Sequence, residues 1–338
     1  MIISKTPFRI SLAGGGSDID RYYQTAPGAV VAMSVSLYIY VTVNRRFDDT
    51  VRVSYTRLEI VKRGADLQHD LIRAALEMVG LDRGVEITTI ADVPGGTGLG
   101  SSSSLTVGVL NALYAYCGIR LSATELARRA CEIEIDVLKR PIGKQDQFMA
   151  ACGGLRRLTF HSNGRVGSHA IRCSPSTSKR LVDSLMLFYT GIERDGNVIL
   201  RHVRNALATD RARRERVARM VMDAHDLGAR LERGDISTVG SVLNGAWSHK
   251  RDFGASATKS RLDGLHRAAI AAGATGAKIL GAGGGGFLLA QCPVSRRTGV
   301  RKALEQLGLR QIRFGLEERG SQIIFPSSMS ASRRSRRA

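Results

Sequence analysis

Four segments of this sequence carry residue types and spacings suited to moving a phosphate. Pro94-Gly-Gly-Thr-Gly-Leu-Gly-Ser-Ser-Ser-Ser104 is a glycine turn running into serines. Between a strand and a helix, such a turn aims backbone N–H groups and the helix N-terminus at an anion. The plain alternative is a flexible Gly/Ser linker. Asp146, in Pro141-Ile-Gly-Lys-Gln-Asp-Gln-Phe148, enters an apolar stretch with Lys144 two residues before it. A carboxylate there can orient a hydroxyl or take its proton, or it can simply cap a helix. Twelve residues earlier stands Glu134. Arg9 and Asp18 bracket Gly14-Gly-Gly16, a loop that either wraps a polyol, with Asp18 accepting from hydroxyls, or turns in solvent. Gly281-Ala-Gly-Gly-Gly-Gly286 either makes a tight hairpin or lets a ligand approach the backbone, which only glycine allows.

Regular elements must hold these residues. Ile2 to Leu12 and Ala29 to Phe47 are β-branched and alternating, which predicts two strands. Asp66 to Val79 reads as a helix, Val85 to Ala91 as a strand and Ser101 to Cys117 as a helix, so the first glycine turn sits between strand and helix. From Gly95 to Gly100 its spacing resembles the nucleotide P-loop, but Ser101 stands where that motif has lysine. Ser122 and Glu125 form a capping box that opens a helix to about Lys139. Along it Leu126, Ala130, Ile133 and Val137 make one apolar stripe. At roughly 100° per residue, Glu134 flanks that stripe while Glu132 and Asp136 point away, so Glu134 alone faces inward. Leu181 to Tyr189 reads as a strand, Asn197 to Phe253 as a long helical stretch broken near Gly234, and Arg261 to Ala272 as a helix. Gly281 to Gly286 matches the letters of the dinucleotide fingerprint, G-x-G-x-x-G. That motif needs a helix after it, and Phe287-Leu-Leu-Ala-Gln is instead a strand candidate, paired with Ala277 to Leu280.

Composition narrows the function classes. The 338 residues include 43% hydrophobic and 24% charged, the balance of a globular protein of about two domains. The Ser- and Thr-rich segment from Arg172 to Lys179 is the candidate boundary, giving domains 1–175 and 176–326 and a basic, disordered tail at 327–338. No apolar run spans a membrane, and Lys5, Pro7 and Arg9 stand where a signal peptide needs apolar residues, so a cytoplasmic enzyme is expected. Five dispersed cysteines lack metal-ligand spacing and read as reduced thiols, mostly buried. The net charge is +20, but the 41 arginines are scattered and aromatics are only 5%, which argues against nucleic acid. Excess positive charge does suit an anionic small molecule.

Thr6-Pro-Phe-Arg-Ile-Ser-Leu-Ala-Gly-Gly-Gly-Ser-Asp18, Pro94 to Ser103 and Lys278 to Phe287, in this order, resemble the three motifs of the GHMP kinases. This is the superfamily of galactokinase and the homoserine, mevalonate and phosphomevalonate kinases. With Gly15 and Gly16 where galactokinase-type members carry Glu-His, and with Gly-Lys-Gln-Asp-Gln, the chain is similar to the bacterial heptose 7-phosphate kinases. The resemblance implies an α+β fold, with a ribosomal-S5-like N-terminal half and a ferredoxin-like C-terminal half. It also implies ATP and magnesium, a sugar-phosphate acceptor phosphorylated at its anomeric hydroxyl, no nucleic-acid or membrane partner, and room for a homodimer. Carried over residue by residue, Asp146 is catalytic, with Arg9 or Lys144 offsetting charge on the transferred group. Pro94, Gly95, Gly96, Thr97, Gly98, Leu99, Gly100, Ser101, Ser102 and Ser103 bind the nucleotide, and Ser102 and Glu134 the metal. Arg9, Gly14, Gly15, Gly16, Ser17, Asp18, Gln145, Gly283 and Gly284 bind the acceptor. A fucose-type or other C1 sugar kinase is the alternative. A non-catalytic binding protein of this fold would be expected to have lost Asp146 or the nucleotide loop, and both are present.

Overall fold

The β-branched runs on either side of the first glycine loop form the two longest strands, β1 (Ile2–Ala13) and β2 (Gly28–Arg45), paired antiparallel. The structure is a computed structural model that describes residues 1–192, 196–250 and 256–325. Between the two strands lie the loop and a short helix, α1 (Asp20–Tyr23). The far half of β2 pairs with β5 (Val85–Ala91), which runs parallel to β3 (Val51–Ser54), itself paired with β4 (Leu58–Val61). Its first six residues pair instead with β6 (Leu155–Phe160), extended by β7 (Val166–Ala170). β12 (Gln322–Phe325) covers the other edge of β1 and completes an eight-stranded sheet.

Helices α2 (Asp70–Val79), α3 (Ser101–Tyr116), α4 (Ala123–Cys131) and α5 (Gln145–Cys152) share one hydrophobic core with this sheet. Leu110 and Leu113 of α3 are wholly buried there, each worth about 1.5–3 kcal/mol relative to exposure. α6 (Pro175–Ser184) leads into β8 (Leu185–Tyr189). Then follow α7 (Gly196–Thr209), α8 (Arg211–Glu232), α9 (Val239–Lys250) and α10 (Ser256–Ala271). After them come β9 (Gly276–Ile279), β10 (Phe287–Gln291), α11 (Arg297–Gln306) and β11 (Arg310–Ile312). The second sheet has the order β11-β8-β10-β9, all antiparallel. Counted along the chain this is fourth, first, third, second, the split βαβ arrangement of a ferredoxin-like half.

Several sequence expectations change. Leu181 to Ser184 is the end of α6, not strand, because Ser174 accepts from the Thr177 N–H as an N-cap and Pro175 occupies the first turn. The supposed boundary segment is therefore mostly helix. The long helical stretch breaks at Asp210, which caps α8 through the Arg213 N–H, as well as near Gly234; its last residues, 251–253, lie outside the described residues. The expected tail at 327–338 lies outside them too. The helix from Ser122 widens after Cys131 into a π-helical turn, Glu132–Val137, with the Leu138 N–H donating to Ile133 O. The wider turn shifts the faces, so Val137 is exposed while Ile133 and Glu134 are fully buried. All five cysteines are free: Cys131 and Cys292 are buried, Cys152 and Cys173 half-buried and Cys117 exposed.

After β11 the chain returns to the first sheet. Glu317 donates to Ser34 O, Gly154 donates to Glu317 O, and Ser321 donates to Ala150 O at the end of α5. Gly320 passes so close that a Cβ there would lie 2.0 Å from Ala151 O. This segment and β12 tie the end of the C-terminal half to β1 and to the helix that carries Asp146.

Candidate active site

The nucleotide-type loop lies where the sequence pattern puts it, between β5 and α3. Three long-range bonds lash it to β1: Ser104 Oγ donates to Pro7 O at 2.9 Å and Ser4 Oγ to Gly108 O at 2.8 Å. The Arg9 N–H donates to Leu99 O at 3.1 Å. The β9–β10 hairpin of Gly281 to Gly286 packs on the same loop, and a Cβ on Gly98 would stand 2.9 Å from Leu280 O. The tight-turn reading of that hairpin holds, and the close approach its glycines allow here is that of another backbone segment. The first N–H groups of α3 have no partner within the helix and open, through Ser101, Ser102 and Ser103, onto a cavity of about 340 Å³.

Arg9 and Asp146 meet at the middle of this cavity. The guanidinium grips the carboxylate at both ends, Nε to Oδ1 and Nη2 to Oδ2, each at 2.7 Å, and its Nη1 donates to Gly98 O at 2.7 Å. Such a planar two-bond grip fixes the carboxylate's orientation. Arg9 is 5% exposed and Asp146 22%, so one oxygen edge of Asp146 still faces the cavity. Asp146 also packs against the start of α3, where a Cβ on Gly100 would lie 3.1 Å from Oδ2.

Asp18 is buried beside them. It accepts from the N–H groups of Gly16 at 3.1 Å and Gln145 at 3.3 Å. Burial, and after it repulsion from Asp146, pushes its carboxyl above the usual range, outweighing those bonds. A carboxylate held this way accepts readily from an arriving hydroxyl. The sign of the linkage follows: a carboxyl raised in the fold favours folding below its unfolded value of 3.8 and loses that contribution as pH rises through the folded value. The melting temperature of Asp18→Asn, measured relative to wild type, should therefore climb as pH rises above the unfolded value of 3.8. A flat or falling difference would contradict the burial argument.

Glu134, fully buried, accepts from Ser102 Oγ at 2.5 Å and from Gln147 Nε2 at 2.7 Å. Desolvation dominates these bonds and raises its carboxyl. Lys139, in the left-handed region at φ 53°, turns the chain so that the Arg140 N–H donates to Glu134 O. The Arg140 side chain then bridges Ser102 Oγ at 2.7 Å and Asp70 at 2.9 Å, with Glu134 Oε1 at 3.7 Å. Glu134 and Ser102 are adjacent hard oxygens beside the α3 N-terminus, and the buried carboxylate's charge is answered only in part by Arg140 at 3.7 Å. The residues present fit a divalent cation of the magnesium type.

Of the expected residues the cavity gathers Arg9, Gly15, Gly16, Asp18, Gly96, Gly98, Gly100, Ser101, Ser102, Ser103, Gln145, Asp146, Gly283 and Gly284. Glu134 stands behind Ser102. Thr97 and Leu99 are wholly buried and support the loop, while Pro94 and Gly95 are exposed on its outer side. Gly14 and Ser17 hold the acceptor-type loop together, Ser17 Oγ donating to Gly14 O at 2.7 Å. Lys144 is not brought to the site: its ammonium donates to Gly164 O at 2.8 Å and lies over the Tyr23 ring. The cation at Asp146 is Arg9. Sequence reasoning missed Arg140, Arg213, Arg216, His249 and Lys278, which also line the cavity. The signal for Arg213 and Arg216 was helical spacing with Val217 and Met220, hidden in an arginine-rich helix.

The chain and its fold have known relatives. The GHMP kinases N terminal domain matches residues 59–154, and the GHMP kinases C terminal domain residues 229–308. The D-glycero-alpha-D-manno-heptose 7-phosphate kinase of Campylobacter jejuni is 31% identical over 317 residues, covering 90% of this chain and 93% of its own. The crystal structure of a D-glycero-D-manno-heptose 1-phosphate kinase from Bacteroides thetaiotaomicron superposes with a TM-score of 0.80 at 25% identity, over 97% of this chain and 100% of that one. Lactococcus lactis galactokinase bound to galactose shares the fold, with a TM-score of 0.74 at 19% identity over 95% of this chain and 94% of its own. A helix N-terminus opening on a cavity, a carboxylate gripped by an arginine and a buried glutamate behind a serine thus sit on the fold of these relatives, and the chain belongs to the GHMP kinases, ATP-dependent phosphotransferases.

Proposed function

We propose that the enzyme transfers the γ-phosphoryl group of ATP to the anomeric hydroxyl of D-glycero-D-manno-heptose 7-phosphate. The product is the 1,7-bisphosphate, and the reaction belongs to cytoplasmic synthesis of nucleotide-activated heptose for surface polysaccharide. The observation that carries the reading is the Arg9–Asp146 pair, set in one cavity between the α3 terminus and the Gly15–Asp18 loop. The Campylobacter relative, named for heptose 7-phosphate, supports this acceptor. The Bacteroides neighbour, named for heptose 1-phosphate, supports only a heptose that already bears a phosphate, since its named substrate has no free anomeric hydroxyl.

Phosphoryl transfer through a loose transition state asks mainly for alignment and positive charge. The α3 terminus and the loop amides hold the β- and γ-phosphates, as N–H groups at a helix N-terminus can do. Asp146, fixed by Arg9, accepts the hydrogen bond of the acceptor hydroxyl and receives its proton as the new O–P bond forms. The bond to the β-phosphate oxygen breaks and ADP departs. Arg9, touching both Asp146 and the Gly98 carbonyl, spreads positive charge along that path. Asp18 accepts from further sugar hydroxyls. Magnesium, held by Ser102 and Glu134, would neutralise charge on the β- and γ-phosphates.

A coupled ADP-release assay on an acceptor panel tests the proposal. The 7-phosphorylated heptose should exceed free heptose, galactose and fucose in kcat/KM by at least about tenfold, the value of one good charge contact. Phosphorus NMR should place the new phosphate on the anomeric oxygen. Equal rates with free fucose, or a phosphate elsewhere, would move the assignment to a fucose-type kinase or another position.

A further inference from the structure

We infer that Arg213 and Arg216 of α8 receive the phosphate that the acceptor already carries, at the end of the cavity away from the nucleotide loop. This rests on the reading of the acceptor as a sugar phosphate. Arg213, Arg216, Val217 and Met220 all line the cavity, and their spacing puts them on one face of α8. That face lies against the acceptor loop: among the described residues, Val217 Cγ2 comes within 4 Å of where a Gly16 Cβ would be, at 3.9 Å. A chain of contacts leads from this loop to the reacting end. Gly16 donates to Asp18 at 3.1 Å, Asp18 accepts from the Gln145 N–H at 3.3 Å, and Asp146 follows next in sequence.

The other cations have partners nearer the chemistry. Arg9 holds Asp146, Arg140 holds Asp70 and Ser102, and the Lys278 ammonium donates to Leu12 O at 3.0 Å. Arg216 differs, since its Nε is buried and has no hydrogen-bond partner among the described residues although the residue borders the cavity. Arg213 is anchored by Asp210 at 3.3 Å on its Nε side. Gly15 and Gly16 line the same cavity. Ile19, Leu200, Val203 and Val217 supply apolar wall around it, which strengthens a charge contact. Two guanidinium groups one turn apart match a phosphate dianion, which takes planar two-bond contacts.

The test uses the full-length protein with Arg213→Met, Arg216→Met and Arg216→Lys. Heptose 7-phosphate and free heptose serve as alternative acceptors, and melting temperatures confirm folding. Each methionine variant should reduce the ratio of kcat/KM for the phosphorylated over the free sugar by about 10- to 10²-fold, and lysine should restore only part of it. If wild type prefers the phosphorylated sugar and the variants keep that ratio, the inference is overturned while the acceptor reading stands. A rise in KM for ATP in place of a change in the ratio also overturns it, by assigning these arginines to the nucleotide. If wild type does not distinguish the two sugars, the acceptor reading itself fails and the inference with it.

Discussion

Asp146→Asn should lower kcat by about 10²–10⁴-fold, the usual contribution of a positioned proton acceptor, while nucleotide affinity changes little. Asparagine keeps the shape of the side chain and one acceptor oxygen. It loses the charge that Arg9 grips at both ends and cannot take the hydroxyl proton. In the proposed mechanism the nucleotide is held by the loop amides and the α3 terminus, which Asp146 adjoins at Gly100. Arg9, at 5% exposure, is left with its charge only partly answered, so the variant should also lose stability. Measuring its melting temperature and ATP binding beside kcat separates a chemical defect from an unfolded one. A folded variant with kcat within about tenfold of wild type would remove Asp146 from the reaction.

Glu134→Gln should raise the magnesium concentration needed for half-maximal activity at least about tenfold, because a neutral amide is a poor ligand for a hard cation. Its stability should move the other way. Burial raises the Glu134 carboxyl, so its contribution to folding is complete below the unfolded value of 4.5 and is lost as pH rises through the folded value. At neutral pH without metal, the glutamine variant should melt no lower than wild type. Glu132→Gln is the control. Its side chain is 37% exposed and pairs with Arg128 and Arg129 outside the cavity. Equal magnesium curves for the two variants would refute the placement of the metal.

Local patterns exposed the parts of the site that lie on continuous elements. Val85 to Ala91, the glycine turn and α3 follow directly from a β-branched run, positive-φ glycines and an unbroken helix former. Glu134 was legible because Ile133 and Ala130 fix the buried face, yet Val137 misled, since no simple period anticipates a π-helical turn. Lys144 was chosen for its nearness in sequence to Asp146. Residues two apart at a helix start do not face each other, and Arg9, far away on β1, takes the position instead. Arg140 depends on the left-handed Lys139, a conformation that a non-glycine residue leaves unmarked in the sequence. At Ser174-Pro175 the opposite holds: the capping signal was present, and the apolar Leu181 and Val182 outweighed it.

The return of residues 315–325 to the first sheet sets the order in which the enzyme can be born on the ribosome. Until this segment emerges, β1 presents an unpaired outer edge, and the carbonyls at the end of α5, such as Ala150 O, lack their final donors. The helix bearing Asp146 is therefore braced last, by pairings of very high sequence separation that form slowly. A nascent chain can thus assemble its nucleotide-type loop before the helix bearing Asp146 gains these last contacts. An open β1 edge makes the intervening period the one in which chaperone protection matters most.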